Sequence, residues 1–577
     1  MQTLLANIRF CIYILFFLAS TSIIAQTCNC SYTLEEEDLD STTLNNIWGT
    51  NLNIEPGDTI CIPAGNYTAI RFYDLVGTAE NPIIIINCGG LVTFDAPSYS
   101  AISLQRSSNV RLTGTGSSNY EYGIKVAGTN SYSSGIYMEN FSTDIEIDHV
   151  EVENTGFAGI MGKTDPYCNN SNSWRRNGFT MKNINLHHNY IHDTGGEGIY
   201  LGFTGGYKVT STRSCNGDLI FGHWLEDITI AYNLIERTDL DGIQVNLARA
   251  NCFIHDNVVQ DYALAGQSFQ DFAMSIGGGV YEVYNNRMYN STDNDGKGIQ
   301  LISVDSGTKL YNNIIVTPKF HGIFIHQRHE FETSNEGFKV FNNTIIEPEN
   351  SGIHYNTTIT VSDDATKIGT TQDTTPSYFV NNFILNPGND FTMTNTWKGD
   401  SESYIDFNNK STRDGMLPYT FTNLTVRDTT SLYLLDDDSV DAYSVTSLNS
   451  ILVDLGTDVS VFGLYDDING TARLQGSGYD IGAYELAYSG SKFPTMPTAE
   501  STVKLKVYPN PAQNSFAISG NSVRGSEVYI YTSAGQLLYN GKDYDGEHID
   551  ISNFRKGNYF VNVISTEGVQ TLQLVKL

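Results

Sequence analysis

The stretch Asp227-Ile-Thr-Ile-Ala-Tyr-Asn233-Leu-Ile-Glu-Arg-Thr-Asp-Leu-Asp-Gly242-Ile243 contains the phrase that decides the fold. A short alternating strand ends at an Asn, a second apolar stretch follows, and a polar turn leads to Gly-Ile. The Asn recurs at Asn189, Asn233, Asn257, Asn286, Asn313, Asn343 and Asn382. The Gly-Ile pair recurs at Gly135, Gly159, Gly198, Gly242, Gly298, Gly322 and Gly352, with Ala273-Met274 in the place between Gly242 and Gly298. The four Asn steps from 233 to 343 are 24, 29, 27 and 30 residues.

A period in the twenties with three short strands per repeat is typical of one coil of a β-solenoid. Stacked coils lie about 4.8 Å apart, so equivalent residues form columns. We expect the Asn column to form an amide ladder, the Ile column to fill the interior, and Gly to allow the bend before the strand. Over roughly residues 45–485 the pattern resembles right-handed parallel β-helix proteins. A propeller requires longer, four-stranded repeats.

Composition excludes several classes of protein. The 33 Lys and Arg against 64 Asp and Glu give a formal net charge of −31, which disfavours a nucleic-acid partner. A hydrophobic content of 40% with only 17% charged residues excludes disorder as the main state. The 52 Gly, 35 Tyr and 14 Pro indicate β structure with many turns rather than collagen or coiled coil.

The N-terminal segment predicts export. Arg9 precedes an apolar run from Phe10 to Leu18, and small residues follow up to Ala25, as in a secretory signal peptide. The run is short for a membrane anchor, and we predict no later membrane span. Export permits disulfides. Seven cysteines remain after Cys11 is removed, so at least one is unpaired, and Cys252 is expected to be a buried free thiol.

Two further stretches carry resemblances. Gly57-Asp-Thr-Ile-Cys-Ile-Pro-Ala-Gly-Asn-Tyr67 with Gly77-Thr-Ala-Glu-Asn-Pro-Ile83 is similar to the opening coils of carbohydrate-active β-helices, including alginate-lyase-like ones. Asp467 through Asp480-Ile-Gly-Ala-Tyr-Glu485 is similar to the closing segment of secreted bacterial β-helix proteins. Both bear on the fold more than on the function.

The last seventy or so residues alternate in short strands, which suits a small β-sandwich. Val507-Tyr-Pro-Asn-Pro511, Gly535, Gly557-Asn-Tyr559 and the terminal Lys576 resemble the C-terminal sorting domain of the type IX secretion system. This resemblance implies a Bacteroidetes-type source, the type IX machinery as a partner, and a secreted or surface location. The alternative is a carbohydrate-binding or adhesive module. We predict a signal peptide over residues 1–25, a β-helix over 26–488, a linker over 489–502 and the sorting domain over 503–577.

Alternation after each Gly-Ile predicts two outward rows of side chains on one wall. Counting Gly as first, the third-place row is Tyr137, Met161, Tyr200, Gln244, Ser275, Gln300, Phe324 and His354. The fifth-place row is Glu139, Lys163, Gly202, Asn246, Gly277, Ile302, His326 and Asn356. The residue before Gly adds Glu197, Asp241, Lys297 and His321. Such a row suits a linear polymer, although exposed aromatic residues are also common on sheets.

Two coils carry insertions that follow Lys163 and Gly202, and we expect both loops to wall this groove. The loops contain Trp174, Arg175, Arg176, His223 and Trp224, and one Cys each, which predicts a disulfide between Cys168 and Cys215. Lys319, His321, His326, Arg328 and His329 form a basic cluster suited to carboxylate or sulfate groups, or to a solvated turn. His187, His188 and His192 are assigned to the Asn turn.

The leading hypothesis is a β-eliminating enzyme acting on an anionic, uronate-containing glycan. Elimination needs a partner for the carboxylate, a base for the C5 proton and an acid for the leaving oxygen. The candidate catalytic residues are Lys163, Tyr200, His321, His326 and Arg328. The candidate substrate-binding residues are Tyr137, Trp174, Arg175, Arg176, Gln244, Asn246, Gln300, Phe324 and His354. A chain-cleaving lyase and a dehydratase acting on oligosaccharide ends use the same chemistry. The Lys/Arg motif of alginate-lyase and chondroitinase-B-like β-helices is not present as a clear string.

Two alternatives stay open. Thr238-Asp-Leu-Asp-Gly-Ile243 and His321-Gly-Ile323 resemble the strands of polygalacturonases, and a hydrolase would need two carboxyl groups such as Glu197 and Asp241. Glu197, Asp239 and Asp241 are also candidate Ca²⁺ ligands, and no other cofactor is predicted. The second alternative is a non-catalytic glycan-binding surface protein. We expect a monomer.

Overall fold

The computed structural model describes residues 28–35, 39, 44–168, 178–204, 213–215, 218–220, 222–290, 294–302, 304, 307–326, 338–356, 377–389, 392–397, 400–403, 419–427, 429–435, 441–487, 505–510, 512–520, 523–532, 537–565 and 568–576. The chain divides into two compact units, Met1–Tyr488 and Ser489–Leu577. The predicted signal peptide lies outside the described residues.

The first unit is a parallel β-helix, which confirms the predicted fold. We name its three walls face 1, face 2 and face 3, in chain order within a coil. Face 1 contains Tyr32–Thr33, the first parts of Thr59–Tyr67 and Ile83–Ala96, Ser108–Thr113, Thr143–Asp148, Thr180–His187, Trp224–Ala231, the ends of Ile243–His255 and Phe272–Tyr284, Lys309–Tyr311, Lys339–Phe341, Tyr378–Val380 and Tyr419–Phe421.

Face 2 follows the Asn turn. It contains the ends of Thr59–Tyr67 and Ile83–Ala96, Ile124–Thr129, Val150–Glu153, Tyr190–Thr194, Leu234–Thr238, Val258–Gln260, Arg287–Tyr289, Ile314–Val316, Thr344–Ile346, Phe383–Leu385 and Leu424–Val426.

Face 3 follows the Gly-Ile pair. It contains Leu44–Trp48, Ala69–Tyr73, Ile102–Gln105, Ile136–Glu139, Ile160–Gly162, Ile199–Leu201, the starts of Ile243–His255 and Phe272–Tyr284, Lys297–Ile302, Ile323–His326, Ile353–Asn356 and Thr392–Trp397, which pairs antiparallel with Asp400–Ser403. Outside the faces lie the short helix Gly49–Leu52, the hairpin strands Arg213–Cys215 and Asp218–Ile220, and the 3₁₀ turns Thr429–Ser431 and Ser460–Phe462.

The Asn column forms the predicted amide ladder, and it extends one coil further than the sequence phrase, to Asn423. From Asn189 onward each Nδ2 donates to the Oδ1 of the Asn in the next coil at 2.8 to 3.0 Å. Each Asn backbone N–H also donates to that same oxygen, for example Asn257 to Asn286 at 3.1 Å. The ladder is buried from Asn189 to Asn382, so each amide within it fixes the register of the coils next to it.

The Gly of the Gly-Ile pair is needed for a different reason from the one expected. These glycines do not have positive φ; left-handed residues lie instead at another corner of the coil, before each ladder Asn, such as His188 and Tyr232, both at φ near 54°. A Cβ on Gly198 would lie 2.5 Å from Ile235 Cγ2 and 2.6 Å from the Gly242 carbonyl oxygen. The next coil therefore leaves no room for a side chain at this position.

A closing segment, residues 429–487, covers the outward apolar residues of face 2 in the later coils. Val316, Ile346 and Leu385 pack there against Leu452 and Ile481. Three acids of the predicted closing motif hold the segment's own backbone: Asp467 accepts from Thr471 N at 2.7 Å, Asp480 from Leu486 N at 2.8 Å, and Glu485 from Leu474 N at 2.9 Å. Face 3 stays outside this cover.

Four N-terminal cysteines form two disulfides, Cys28–Cys88 and Cys30–Cys61, and Cys252 is the buried free thiol that the sequence predicted. None of the helices in the described ranges is long and apolar enough to cross a membrane.

The second unit consists of two antiparallel sheets around one core. One sheet contains Lys506–Tyr508, Ser515–Ser519 and Ile549–Asp550, and the other contains Ser526–Thr532, Leu537–Tyr544, Gly557–Ser565 and Gly568–Lys576. Phe516 and Ile518 of the first sheet share the core with Val528 and Val561 of the second. This arrangement confirms the predicted β-sandwich.

Replacing a ladder amide should destabilise the β-helix. Asn286→Ala would remove the acceptor of both Asn257 donors and leave the Ile254 carbonyl without its side-chain partner. Because these groups are buried, we expect a loss of about 3 kcal/mol or more and a lower thermal midpoint. The matched control is Asn119→Ala, an exposed Asn, which should change the midpoint little. Equal midpoints for the two variants would contradict the role of the ladder.

Candidate functional site

Strand register confirms that the third-place row lies in file on face 3. Each residue of this row pairs with the next one in the neighbouring coil. The row runs from Tyr137 through Met161, Tyr200, Gln244, Ser275, Gln300 and Phe324 to His354. The fifth-place row is also aligned from Asn246 through Gly277, Ile302 and His326 to Asn356. The Gly202 N–H donates to the Gly162 carbonyl at 2.9 Å, which continues the alignment at the two stretched coils.

Lys163 lies at the centre of the first polar cluster. Its Nζ is 3.2 Å from Asp165 Oδ1 and 4.9 Å from the centre of the Tyr200 ring, and 15% of its side chain is exposed. Burial opposes the charged form, but Tyr200, Asp165 and Glu197 outweigh it, so the pKa of Lys163 is raised. Lys163 is therefore a stable ammonium group facing the groove.

Glu197 and Asp241 precede Gly in successive coils and are fully buried. Gln270 Nε2 donates to Glu197 Oε1 at 3.2 Å, and Phe272 N donates to Asp241 Oδ1 at 2.8 Å. The other oxygen of each carboxyl has no hydrogen-bond partner among the described residues. Burial raises the pKa of Glu197 to about 7 although Lys163 lowers it, and burial together with the charge of Glu197 raises the pKa of Asp241.

Asp271 and Lys297 form an ion pair that extends the cluster by two coils. The Lys297 ammonium lies 5.3 Å from the Phe272 ring centre and 5.9 Å from that of Phe320, and 26% of its side chain is exposed. Burial raises the pKa of Asp271 against the opposing effect of Lys297, and Asp271 Oδ1 has no partner in the described chain. Sequence reasoning missed Asp271 because its coil has Ala-Met instead of Gly-Ile. Aligning Ala273 with Gly would have shown an acid one residue upstream of the Asp241 position.

The amide residues of the row surround these charges. Gln244 Nε2 donates to Thr204 Oγ1 at 2.6 Å, and the same hydroxyl contacts the Tyr200 hydroxyl. Asn246 Nδ2 and Gln300 Oε1 are buried without partners among the described residues. These unpaired polar atoms could accept or donate hydrogen bonds to a ligand or to water.

The two stretched coils contact each other where their insertions begin and end, and the prediction that the insertions wall a groove stays a prediction. The Thr164 N–H donates to His223 Nε2 at 3.0 Å, while His223 Nδ1 lies 3.0 Å from the Trp224 carbonyl oxygen. Trp174, Arg175 and Arg176 lie outside the described residues. Cys168 is disulfide-bonded, and the side chain of Cys215 lies outside the described residues, so their pairing stays a prediction.

The basic cluster is weaker than the sequence suggested. Burial, then the charge of His354, lowers the pKa of His321 to about 3, so its ring is neutral near pH 7 and adds no positive charge. The Ser351 N–H donates to its Nδ1 at 3.3 Å. Lys319 forms an ion pair with Glu349, with its Nζ 3.7 Å from Glu349 Oε2. Arg328, His329 and the side chains of His326 and Asn356 lie outside the described residues.

His354 and Phe324 stand at the far end of the row, half-buried, with ring centres 5.3 Å apart. Burial lowers the pKa of His354. Tyr137 lies at the other end, and burial raises the pKa of its hydroxyl. The residues proposed for substrate binding within the described part of the chain therefore span one continuous wall.

The proposed calcium ligands do not converge. Among the described residues, three groups of acids, histidines or cysteines have ligand atoms within 4.8 Å of one another, and Glu197, Asp239 and Asp241 are not one of them. The three groups are the disulfide cysteines, Glu146 with Asp148 and His187, and Glu151 with Glu153 and His192. Each acid group already holds a cationic side chain, Arg111 in the first and Lys125 in the second.

Fold and wall together define a parallel β-helix protein with a row of polar and aromatic side chains along face 3. Residues 506–576 match the family model of the secretion system C-terminal sorting domain, which confirms the predicted sorting domain and a secreted or cell-surface location. A search of the curated proteins found no match.

Several solved structures are similar in fold. One is the pectate lyase Pel9A, at 15% identity and a TM-score of 0.38, with 78% of this chain and 99% of that chain covered. Another is the GH136 lacto-N-biosidase from Eubacterium ramulus, at 13% identity and a TM-score of 0.42, covering 69% and 67%. A third is a PL6 family polysaccharide lyase from Pseudopedobacter saltans, at 11% identity and a TM-score of 0.34, with 70% of this chain and 96% of that chain covered. These likenesses are too distant to transfer any chemistry.

Thiol mapping tests the predicted loop disulfide. Alkylation of the denatured, non-reduced mature protein should label Cys252 alone, because Cys28, Cys30, Cys61 and Cys88 are paired and Cys168 is bonded. Peptide mass analysis should then show Cys168 linked to Cys215. Labelling of both Cys168 and Cys215 would contradict their pairing.

Proposed function

We propose that the protein is a secreted polysaccharide-acting enzyme that cleaves an anionic, uronate-containing glycan by β-elimination. The observation that supports it is the arrangement of charge on face 3: two ammonium groups reach the surface while the acids between them are buried. The reaction is either chain cleavage or elimination at an oligosaccharide end, since both break the same type of C–O bond.

The exposed charges favour an anionic substrate. Lys163 and Lys297 lie four coil steps apart, roughly 19 Å, and both side chains are partly exposed. Glu197 and Asp241 are fully buried, whereas Asp165, the ion-pair partner of Lys163, is 27% exposed, so a polymer meets the two ammonium groups together with this carboxylate. Opposite charge on a wall of low dielectric attracts carboxylates even on an acidic protein.

The proton chemistry follows from three neighbouring groups. The Lys163 ammonium offsets the substrate carboxylate and stabilises the negative charge that develops when the C5 proton leaves. Glu197, with a pKa of about 7, takes that proton, and the C5–H electrons form the new C4–C5 double bond as the C4–O bond breaks. Burial raises the pKa of Tyr200, so its hydroxyl keeps a proton to give to the leaving oxygen. Access to Glu197 requires the Gln270 side chain to move aside.

Glycoside hydrolysis is the second candidate, and one observation favours it. Glu197 and Asp241 are two carboxyl groups in adjacent coils, and the raised pKa of Glu197 suits the general acid of a glycosidase. The two mechanisms differ in product. Elimination gives an unsaturated uronate that absorbs in the ultraviolet, whereas hydrolysis gives new reducing ends without that absorbance.

A substrate panel is the first experiment. The purified exported protein is incubated with alginate, ulvan, pectin-like chains and their oligosaccharides, and both products are measured. Unsaturated ends support elimination, and reducing ends without ultraviolet absorbance support hydrolysis. Binding without either product would leave a non-catalytic glycan-binding protein and overturn the proposal.

Removing the ammonium group of Lys163 should abolish turnover. For Lys163→Ala we expect kcat to fall by about 100-fold or more, because the carboxylate loses its charge partner, while the melting temperature changes little. Lys125→Ala is the matched control, since Lys125 forms ion pairs with Glu151 and Glu153 on face 2. Wild-type rates in Lys163→Ala would show that the reaction takes place elsewhere.

The pH profile separates the two mechanisms. If Glu197 is the base of an elimination, it must be ionised, so the rate should rise as pH increases through about 7. If Glu197 is the acid of a hydrolase, it must be protonated, and the rate should fall over the same interval. Glu197→Gln should remove this titration and lower the rate by a factor of about 100 or more. An unchanged profile in Glu197→Gln would exclude Glu197 from either role.

A further inference from the structure

The turns that lead into face 3 stack on one another and form one edge of the groove. The Phe157 N–H donates to the Ser133 carbonyl at 3.1 Å, and Leu240 donates to Gly196 at 3.2 Å. Ala263 donates to Leu240 at 3.1 Å, and further along Asn350 donates to Phe320 at 2.8 Å. We call this edge the rim.

Four aromatic residues lie on the rim: Tyr132, Phe157, Phe269 and Phe320. Tyr132 is 92% exposed, Phe269 is 73% exposed and Phe320 is 41% exposed. A single exposed aromatic residue is ordinary on a protein surface. Here they recur on stacked turns over the six coil steps from Gly135 to Gly322, roughly 29 Å.

Two of the rim residues, Phe157 and Phe320, contact residues at face 3. The Phe157 ring packs edge-on against Tyr200 with centroids 6.2 Å apart. Phe269 directly precedes Gln270, whose amide bonds Glu197. The Phe320 ring centre lies 4.0 Å from the His321 ring centre and 5.9 Å from the Lys297 Nζ.

Phe269 also has a strained backbone. Its φ is +71°, a region that a bulky non-glycine residue rarely adopts. Such a conformation costs of the order of a few-fold to a hundred-fold in population and persists where the surrounding structure fixes it, as at several other non-glycine residues of this chain. At Phe269 it accompanies an apolar ring held in solvent beside the buried acids.

We propose that the rim is a sugar-stacking surface that binds one extended polysaccharide chain along face 3, an inference that rests on the proposed function for the identity of the sugar. A pyranose unit in an extended chain has about the length of one coil step, so successive sugars would lie beside successive turns of the rim. Aromatic faces pack on the apolar faces of sugars without regard to charge, while Lys163 and Lys297 attract the carboxylates. The rim extends on both sides of Glu197 and Asp241, so the bound chain is held in its interior and cleavage is internal.

Variants at the two ends of the rim test this. Tyr132→Ala and Phe320→Ala should each raise KM for the polymer by about 5-fold or more, because each loses one stacking contact, with a much smaller change in kcat. KM for a disaccharide or trisaccharide should not change, since such a substrate does not reach both ends. Tyr465→Ala, an exposed aromatic residue on the closing segment, is the matched control.

Binding is also measured without catalysis, as retardation of the full chain in native gels containing soluble alginate or pectin-like polymer. Loss of retardation in both rim variants but not in Tyr465→Ala supports the rim, even if no polymer is turned over and the proposed function fails. Turnover of a polymer with wild-type KM in both variants overturns the rim and leaves the proposed function standing. An equal loss in Tyr465→Ala, or no retardation of the wild-type chain, also overturns the rim.

Discussion

The register of each coil on the next is the constraint on which the rest of the structure depends. It is set at one corner by the ladder from Asn189 to Asn423, where each buried amide both donates to and accepts from its neighbours. A slip of one residue in a strand would turn its outward side chains inward. Because the ladder forbids that slip, residues as distant in sequence as Lys163 and Lys297 come to one wall.

The buried acids of this molecule differ in how their carboxyl oxygens are hydrogen-bonded. Asp480 and Glu197 both have a pKa of about 7, raised first of all by burial. Both carboxylate oxygens of Asp480 accept backbone N–H groups, from Asp454 and Leu486, as expected of a structural carboxyl. Glu197, Asp241 and Asp271 each keep one oxygen without a partner among the described residues. The pKa shift is therefore the same for acids whose hydrogen bonding differs, and the unpaired oxygens are what distinguish the three acids beside face 3.

Much of the fold could be predicted from the sequence, because every coil has the same pattern of an Asn and a Gly-Ile pair. Each coil is therefore separate evidence for that pattern. The rows on face 3 followed from alternation after Gly-Ile, and strand register confirmed them. The reason for the glycines was wrong, since a close approach between coils cannot be read from one coil. The charge attributed to His321 was also wrong, because desolvation depends on neighbours from other coils. Asp271 and the rim were missed because they lie in turns, where the repeat is not kept.

Which wall the closing segment covers follows from the side chains that each face presents. The later coils of face 2 point Val316, Ile346 and Leu385 outward, and such a surface needs cover, which the closing segment supplies. In the same coils face 3 carries Phe324 and His354, which are half-buried, and in the preceding coils it carries Gln244, Ser275 and Gln300, which are buried. Gln300 keeps an oxygen without a partner among the described residues, and an apolar cover could not satisfy it, since a buried polar atom left unpaired costs about 1–3 kcal/mol. The apolar row on face 2 therefore decides which wall the closing segment covers.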